Sequence, residues 1–297
     1  MIVREGTGRE ARSAIVRERI DSMENRELAR AANEIRKGII TEVYSGQSGH
    51  PGGALSSADL FAFLYEEEMN IDPQNPTDPD RDRFVLSKGH VCPGLYAAMA
   101  VRGYFPVEEL RTFRQLGSRL QGHPSIHWLP GIDMSSGSLG QGISAAVGIA
   151  LGAKLRNKDY RVYTLLGDGE IQEGQVWEAA MFAGTKRLDN LVVIVDNNKL
   201  QIDGPITDVN SPYPIDKKFE AFNFHVINVD GHDFDQLRAA FREARETKGV
   251  PTAIIMKTVK GKGVSFMENQ VGWHGKAPDE EQYKIAIEDL ERIGKAI

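Results

Sequence analysis

Apolar residues recur along this chain with two alternating periods, and the alternation outlines a fold. Helical spacing covers residues 24–44, then a stretch through Met69 that either Ser56 or Ser57 can cap, then residues around 95–101 and 139–155. Between them lie short β-rich or wholly apolar runs at 83–87, 161–166 and 191–195. Val176, Ala179, Ala180 and Ala183 keep helical spacing and predict a helix from about Gly174, between the last two runs. The distal third adds a strand at 225–229, a helix at 234–247 capped by Asp233, a strand at 252–257 and a closing helix at 279–293. This order predicts an α/β fold with a mainly parallel sheet and helices on both faces. The run 191–195 is apolar throughout, as a strand covered on both sides should be.

Two segments depart from that rhythm. Residues 117–137 form a loop too long to be filler in a compact domain, which points to function or to an interface. The helix after it carries Gly140, Gly142, Ala145, Ala146, Gly148 and Ala150, small residues that permit very close packing. Further on, the strand at 161–166 runs into Gly167, Asp168 and Gly169, where glycines let backbone N–H groups approach an anion. The next strand leads to Asn197 and Asn198. In an open α/β sheet both polar ends meet at the carboxyl edge, the ligand crevice, so Asp168 and Asn198 converge there. One charged and one neutral oxygen ligand suit Mg²⁺ held jointly with a diphosphate, because Mg²⁺ seldom has an all-protein cage.

GDGEIQEG followed by VDNNKLQIDG resembles the thiamine diphosphate motif in its transketolase version. Five more segments resemble transketolase in the expected order: SGHPGG, LSKGH, GHP, GSLGQG and VGWHG. The resemblance implies that Asp168 and Asn198 give side-chain oxygens, and Leu200 its carbonyl, to Mg²⁺, with Ca²⁺ or Mn²⁺ as substitutes. It places Gly137, Ser138, Leu139, Gly167, Gly169 and Glu170 against thiamine diphosphate. It puts His50, His123 and His274 in a channel above the thiazolium, touching donor and acceptor hydroxyls, with His90 and His274 also close to the cofactor. Imidazole suits that work, since protons move to and from sugar oxygens near neutral pH. Glu173 reads either as an acid at a helix start or as a carboxylate sharing a proton across a subunit interface. Lys260, Gly261, Lys262 and Gly263 resemble a flexible lid of this superfamily, and a basic surface turn accounts for them equally well. His127, His225, His232 and Asp203 are expected to be structural, His232 by ordering a strand-to-helix turn.

Composition narrows the setting. The chain has 297 residues, no repeat and no low-complexity linker, which favours one domain over 24–297 preceded by a solvated helical extension over 1–23. A net charge of −6 without a basic aromatic stripe argues against nucleic acid and anionic membrane as partners. Cys92 is the lone cysteine and no apolar run is long enough to span a bilayer, so the cytoplasm is expected. The resemblance covers the diphosphate-binding half of a transketolase only. It therefore implies a second chain carrying the aminopyrimidine domain, a two-plus-two heterotetramer, and transfer of a two-carbon ketol unit from a ketose, expected to be phosphorylated, to an aldose. The alternatives are the α subunit of a thiamine-dependent 2-oxoacid dehydrogenase or decarboxylase, and a non-catalytic cofactor-binding partner.

Overall fold

The computed structural model describes residues 23–297, so the extension expected over 1–23 lies, apart from Met23, outside the described residues. Helix α1 (Asn25–Gly46) leads to α2 (Pro51–Ser56), α3 (Ala58–Phe63) and a π-helical turn at Leu64–Glu68. Strand β1 (Arg83–Leu86) and α4 (Cys92–Arg102) follow, and after a long irregular stretch come α5 (Gln141–Leu155), β2 (Val162–Gly167) and α6 (Gly174–Thr185). Beyond β3 (Leu191–Asn197) lie a short antiparallel hairpin, β4 (Leu200–Gln201) with β5 (Gly204–Pro205), and the helices α7 (Ile206–Asn210) and α8 (Ile215–Ala221). Then come β6 (His225–Asp230), α9 (Phe234–Glu246), β7 (Thr252–Lys257) and α10 (Glu280–Ala296).

The five long strands form one parallel sheet in the order β1, β2, β3, β7, β6. Register sets Gly167 beside Asp196, and Asn197 and Asp230 beside Lys257, so the carboxyl tips stand level. Each strand alternates between two cores. Tyr163, Leu165, Val192, Ile194, Ile254 and Met256 face one core with α1, α3, α4, α9 and α10, while Val162, Leu166, Val193, Val195, Ala253 and Ile255 face the other with α5, α6 and α8. The predicted layering is the observed one.

The helix expected from Ser56 or Ser57 begins earlier, at Pro51, and breaks at Ser57. Neither hydroxyl caps a helix, because both are engaged elsewhere. Each donates back to the Gly53 carbonyl, at 3.0 Å, and each reaches Asp196 on β3. The expected caps at Asp233 and Asp279 are present, accepting backbone N–H groups of Asp235 and Gln236 and of Gln282. Helix α5 docks against β1 and β2 through its small residues. A Cβ on Gly142 would stand 2.4 Å from Ser87 Cα, which is backbone and cannot turn aside. Gly142→Ala is therefore expected to lower stability by about 1–3 kcal/mol through overpacking, read as a shift in the urea midpoint. A midpoint unchanged from wild type would show that α5 has room to move.

Candidate active site at the strand tips

The level ends of the parallel strands release polar residues onto one edge. Ser87, Lys88 and His90 follow β1; Asp168 and Glu170 follow β2; Asp196 ends the apolar run of β3, with Asn198 just beyond; Thr258 and Lys260 follow β7. At the centre is Asp196, wholly buried. Its Oδ2 accepts from Lys88 Nζ at 2.5 Å, Ser56 Oγ at 2.6 Å and Asn198 Nδ2 at 3.1 Å, and its Oδ1 accepts from the Thr258 hydroxyl. Burial alone would push this carboxyl up, but Lys88 and the hydrogen bonds from Lys88, Ser56 and Thr258 hold it at about 2. Lys88 is 2% exposed and also donates to Ser57 Oγ and the Gly53 carbonyl.

Asp168 is equally buried but differently served. It accepts the backbone N–H groups of Gly169 at 2.9 Å and Lys199 at 2.5 Å, and burial followed by the neighbouring Asp196 charge raises its carboxyl to about 7. Lys199 lies between Asn198 and Leu200, so the three groups expected to hold a metal are gathered in one place. Asn198 Oδ1 accepts from the Leu200 N–H at 3.1 Å. The Leu200 carbonyl accepts from Lys260 Nζ at 3.0 Å.

Lys260 lies in a turn as expected, but its side chain is not on the surface. Its side chain is 2% exposed, its methylenes pack where a Cβ on Gly52 would fall, and its ammonium also reaches His274 Nδ1 at 2.8 Å. Burial lowers it to about 8 against the pull of Asp168 and Asp196. Its donation to Nδ1 leaves the His274 proton on Nε2. Asp196, Lys88 and Thr258 are site residues that the motifs do not single out, and the Lys260 side chain takes a different place from the one its motif suggests.

The four histidines come together as expected. The His50 and His90 ring centres are 5.0 Å apart, His50 and His274 5.6 Å, His90 and His274 5.4 Å. His123 reaches the same neighbourhood beside Gly137, whose Cβ would stand 3.2 Å from its ring. Burial is the first cause that lowers each of them, His50 to about 4 and His274 to about 3, with nearby cations and imidazoles adding to it. The lowering favours the neutral imidazole in all four, and a neutral ring has one donor and one acceptor nitrogen; in His274 the acceptor is taken by Lys260.

Glu170 is buried and fully engaged: Oε1 accepts from Ser87 Oγ at 2.5 Å and Gly140 N–H at 2.9 Å, Oε2 from Gly167 N–H at 3.0 Å. It fastens the loop of Gly137, Ser138 and Leu139 to the tip of β2. Glu173 is exposed at the start of α6 and makes no capping bond. His232 does more than order a turn, since Nδ1 meets Asp59 at 2.6 Å and Nε2 accepts the Val259 N–H, bracing the segment that delivers Lys260. His225 pairs with Glu243, and His127 is exposed.

Residues 28–290 match the family model described as transketolase, thiamine diphosphate binding domain. The chain belongs to this family. It is 47% identical to the 6-deoxy-6-sulfo-D-fructose transketolase subunit of Clostridium sp. (strain MSTE9), over 90% of this chain and 98% of that protein. It is 41% identical to an apulose-4-phosphate transketolase subunit of Phocaeicola vulgatus, over 88% of this chain and 92% of that one. The transketolase structure from Campylobacter jejuni aligns with a TM-score of 0.85 and 35% identity, over 91% of this chain but 43% of that enzyme. The family's cofactor fits the chemistry of the edge described, where two buried ammonium groups, Lys88 and Lys260, stand at the strand tips among polar side chains. A divalent cation fits as well, because Asp168 is a buried carboxylate with backbone donors and no ion pair among the described residues. Among those residues no group of three or more His, Cys, Asp or Glu could hold a metal.

Asp196→Ala leaves the Lys88 ammonium buried without its counter-charge, and a loss of about 3–5 kcal/mol is expected in urea denaturation. Adding Lys88→Met should recover part of it by removing the orphaned charge. Because the Asp196 carboxyl is held low, its contribution is complete above about pH 4 and is lost as pH falls toward 2. A single variant as stable as wild type would show that the pair does not hold the strand tips together.

Proposed function

We propose that this chain is the diphosphate-binding subunit of a two-chain transketolase, which moves a two-carbon ketol unit from a phosphorylated ketose to an aldose. The observation that carries this reading is convergence: Asp168, Asn198, Leu200 and the four histidines, drawn from six separate segments, meet at one sheet edge. The chain spans nearly the whole of two relatives named as transketolase subunits and less than half of a single-chain transketolase. The naming of those two relatives as subunits supports a second chain, read here as the bearer of the aminopyrimidine domain. The reading includes a two-plus-two heterotetramer in the cytoplasm.

When bound, thiamine diphosphate supplies the carbon that attacks the ketose carbonyl and stores the electron pair released on cleavage. The rest is work for the chain. Asp168, Asn198 and the Leu200 carbonyl would hold Mg²⁺, with Lys260 giving up its bond to that carbonyl. The imidazoles of His50 and His123 would take protons from substrate hydroxyls or return them, His274 would donate its Nε2 proton to a substrate oxygen, and His90 would pack against the cofactor. Glycines at 137 and 140, both at positive φ, let the backbone of their loop come close to phosphate. Glu173 is exposed beside that loop and would meet a second carboxylate across an interface. Trp128, Ile126 and Leu139 in the same region and Met181 and Phe182 on α6 are exposed, which supports burial of this face by other subunits.

Two outcomes are expected. Asp168→Ala should weaken Mg²⁺-dependent binding of thiamine diphosphate by at least about 100-fold in calorimetry on the assembled complex, with the melting temperature preserved. Cofactor affinity equal to wild type would remove Asp168 from the metal site. Purified alone with Mg²⁺, thiamine diphosphate and phosphorylated ketose and aldose, the chain should be inactive. Ketol transfer should appear on titration with the second chain and saturate near one to one, whereas robust turnover by this chain alone defeats the two-chain reading.

A further inference from the structure

Arg114 joins the two loops that carry His50 and His123. Its Nη1 donates to Ser48 Oγ at 2.7 Å, two residues before His50, and its Nη2 donates to the Gly122 carbonyl at 3.2 Å, one residue before His123. The backbone is set for the same bridge. Arg114 sits at φ +58°, a left-handed value that a residue with a side chain keeps only when its surroundings impose it, and its N–H is fixed on the Leu120 carbonyl at 2.9 Å. The guanidinium lies 5.4 Å from the centre of the Phe113 ring. It runs so close along Gly122 that a Cβ there would stand 2.7 Å from Nε and 2.9 Å from Cζ. The glycine before His123 is thus the space that the guanidinium occupies.

We propose that Arg114 is a positioning residue for the ketol transfer, a bridge that sets where His50 and His123 stand relative to each other and to the substrate hydroxyls. The inference rests on the function proposed above. It extends that function to a residue outside every segment that resembles the family motif. The planar fork matters, because it reaches two diverging acceptors at once in a fixed geometry, which a lysine on a flexible stem does not. Charge supports the same role. After burial, Arg114 is the leading cause that lowers His50, ahead of His123 and Lys260, and with burial it accounts for the lowering of His123. The rings of His90 and His274 also face His50, at 5.0 and 5.6 Å. A fixed cation beside an imidazole disfavours the imidazolium, so removing it raises both midpoints and keeping a cation preserves them.

The test uses Arg114→Met and Arg114→Lys in the full chain. In the complex with the second chain, Arg114→Met is expected to lower kcat/KM about 10- to 100-fold through misplacement of the histidines, while thiamine diphosphate affinity stays within about twofold of wild type. Arg114→Lys should recover part of the rate. NMR titration of labelled histidines in the chain alone should show the His50 and His123 midpoints rising in Arg114→Met and staying near wild type in Arg114→Lys. Unchanged midpoints, or a rate loss matched by loss of cofactor affinity and of melting temperature in both variants, would reduce Arg114 to a structural residue. A wild-type complex without ketol transfer sinks the functional reading, whereas wild-type turnover with a full-rate Arg114→Met variant sinks this proposal alone.

Discussion

One buried carboxylate, Asp196, holds the working edge of this molecule together. Its two oxygens are claimed by Lys88 from the exit of β1, Ser56 from α2, Thr258 from the exit of β7 and Asn198 from its own strand. Four chain segments that are remote in sequence therefore meet at one point inside the protein. A charged pair in such a place is weak as a source of net stability, because desolvation consumes most of the attraction, but breaking it is costly. What the pair provides is definition. The strand tips cannot slide past one another without leaving a bare charge, and the residues that follow them inherit fixed positions.

Around that anchor the site is built in layers of increasing exposure. Asp196, Lys88, Asp168, Lys260 and Asn198 are all buried, His50, His90 and His274 are half-buried, and His123 is exposed. The order is suited to a cofactor whose diphosphate is charged and whose reactive ring must meet a sugar. Cations and oxygen ligands are in the low-dielectric floor, where they are worth most, and proton carriers are near the mouth. Glu170 ties the floor to the glycine loop by accepting from Ser87, Gly140 and Gly167.

The sequence made some of this legible and concealed the rest for physical reasons. Strand periodicity and the glycines around Asp168 are local signals, and they led to the right layers and to an edge where Asp168 bonds the backbone next to Asn198. The histidine set was legible because four short segments carried it. Burial of a lysine is a tertiary outcome, and nothing in the local pattern around Lys260 separates a basic turn on the surface from an ammonium sealed over a carbonyl. Ser56 and Ser57 misled for a similar reason: a serine ahead of an apolar run has the form of a cap, yet the partner of Ser56 is 140 residues away. One signal was there to be read. An aspartate ending the wholly apolar run of β3 has to find a cation or several donors, and the lysine of LSKGH is the cation.

The ammonium of Lys260 resting on the Leu200 carbonyl has a consequence for the life of the molecule before it meets anything else. Proteins whose acidic centres depend on a metal often cannot fold until the metal arrives. Here the chain brings two internal cations of its own, Lys88 and Lys260, to the same edge as its buried carboxylates. A polypeptide built this way carries at that edge part of the counter-charge that such proteins take from their metal.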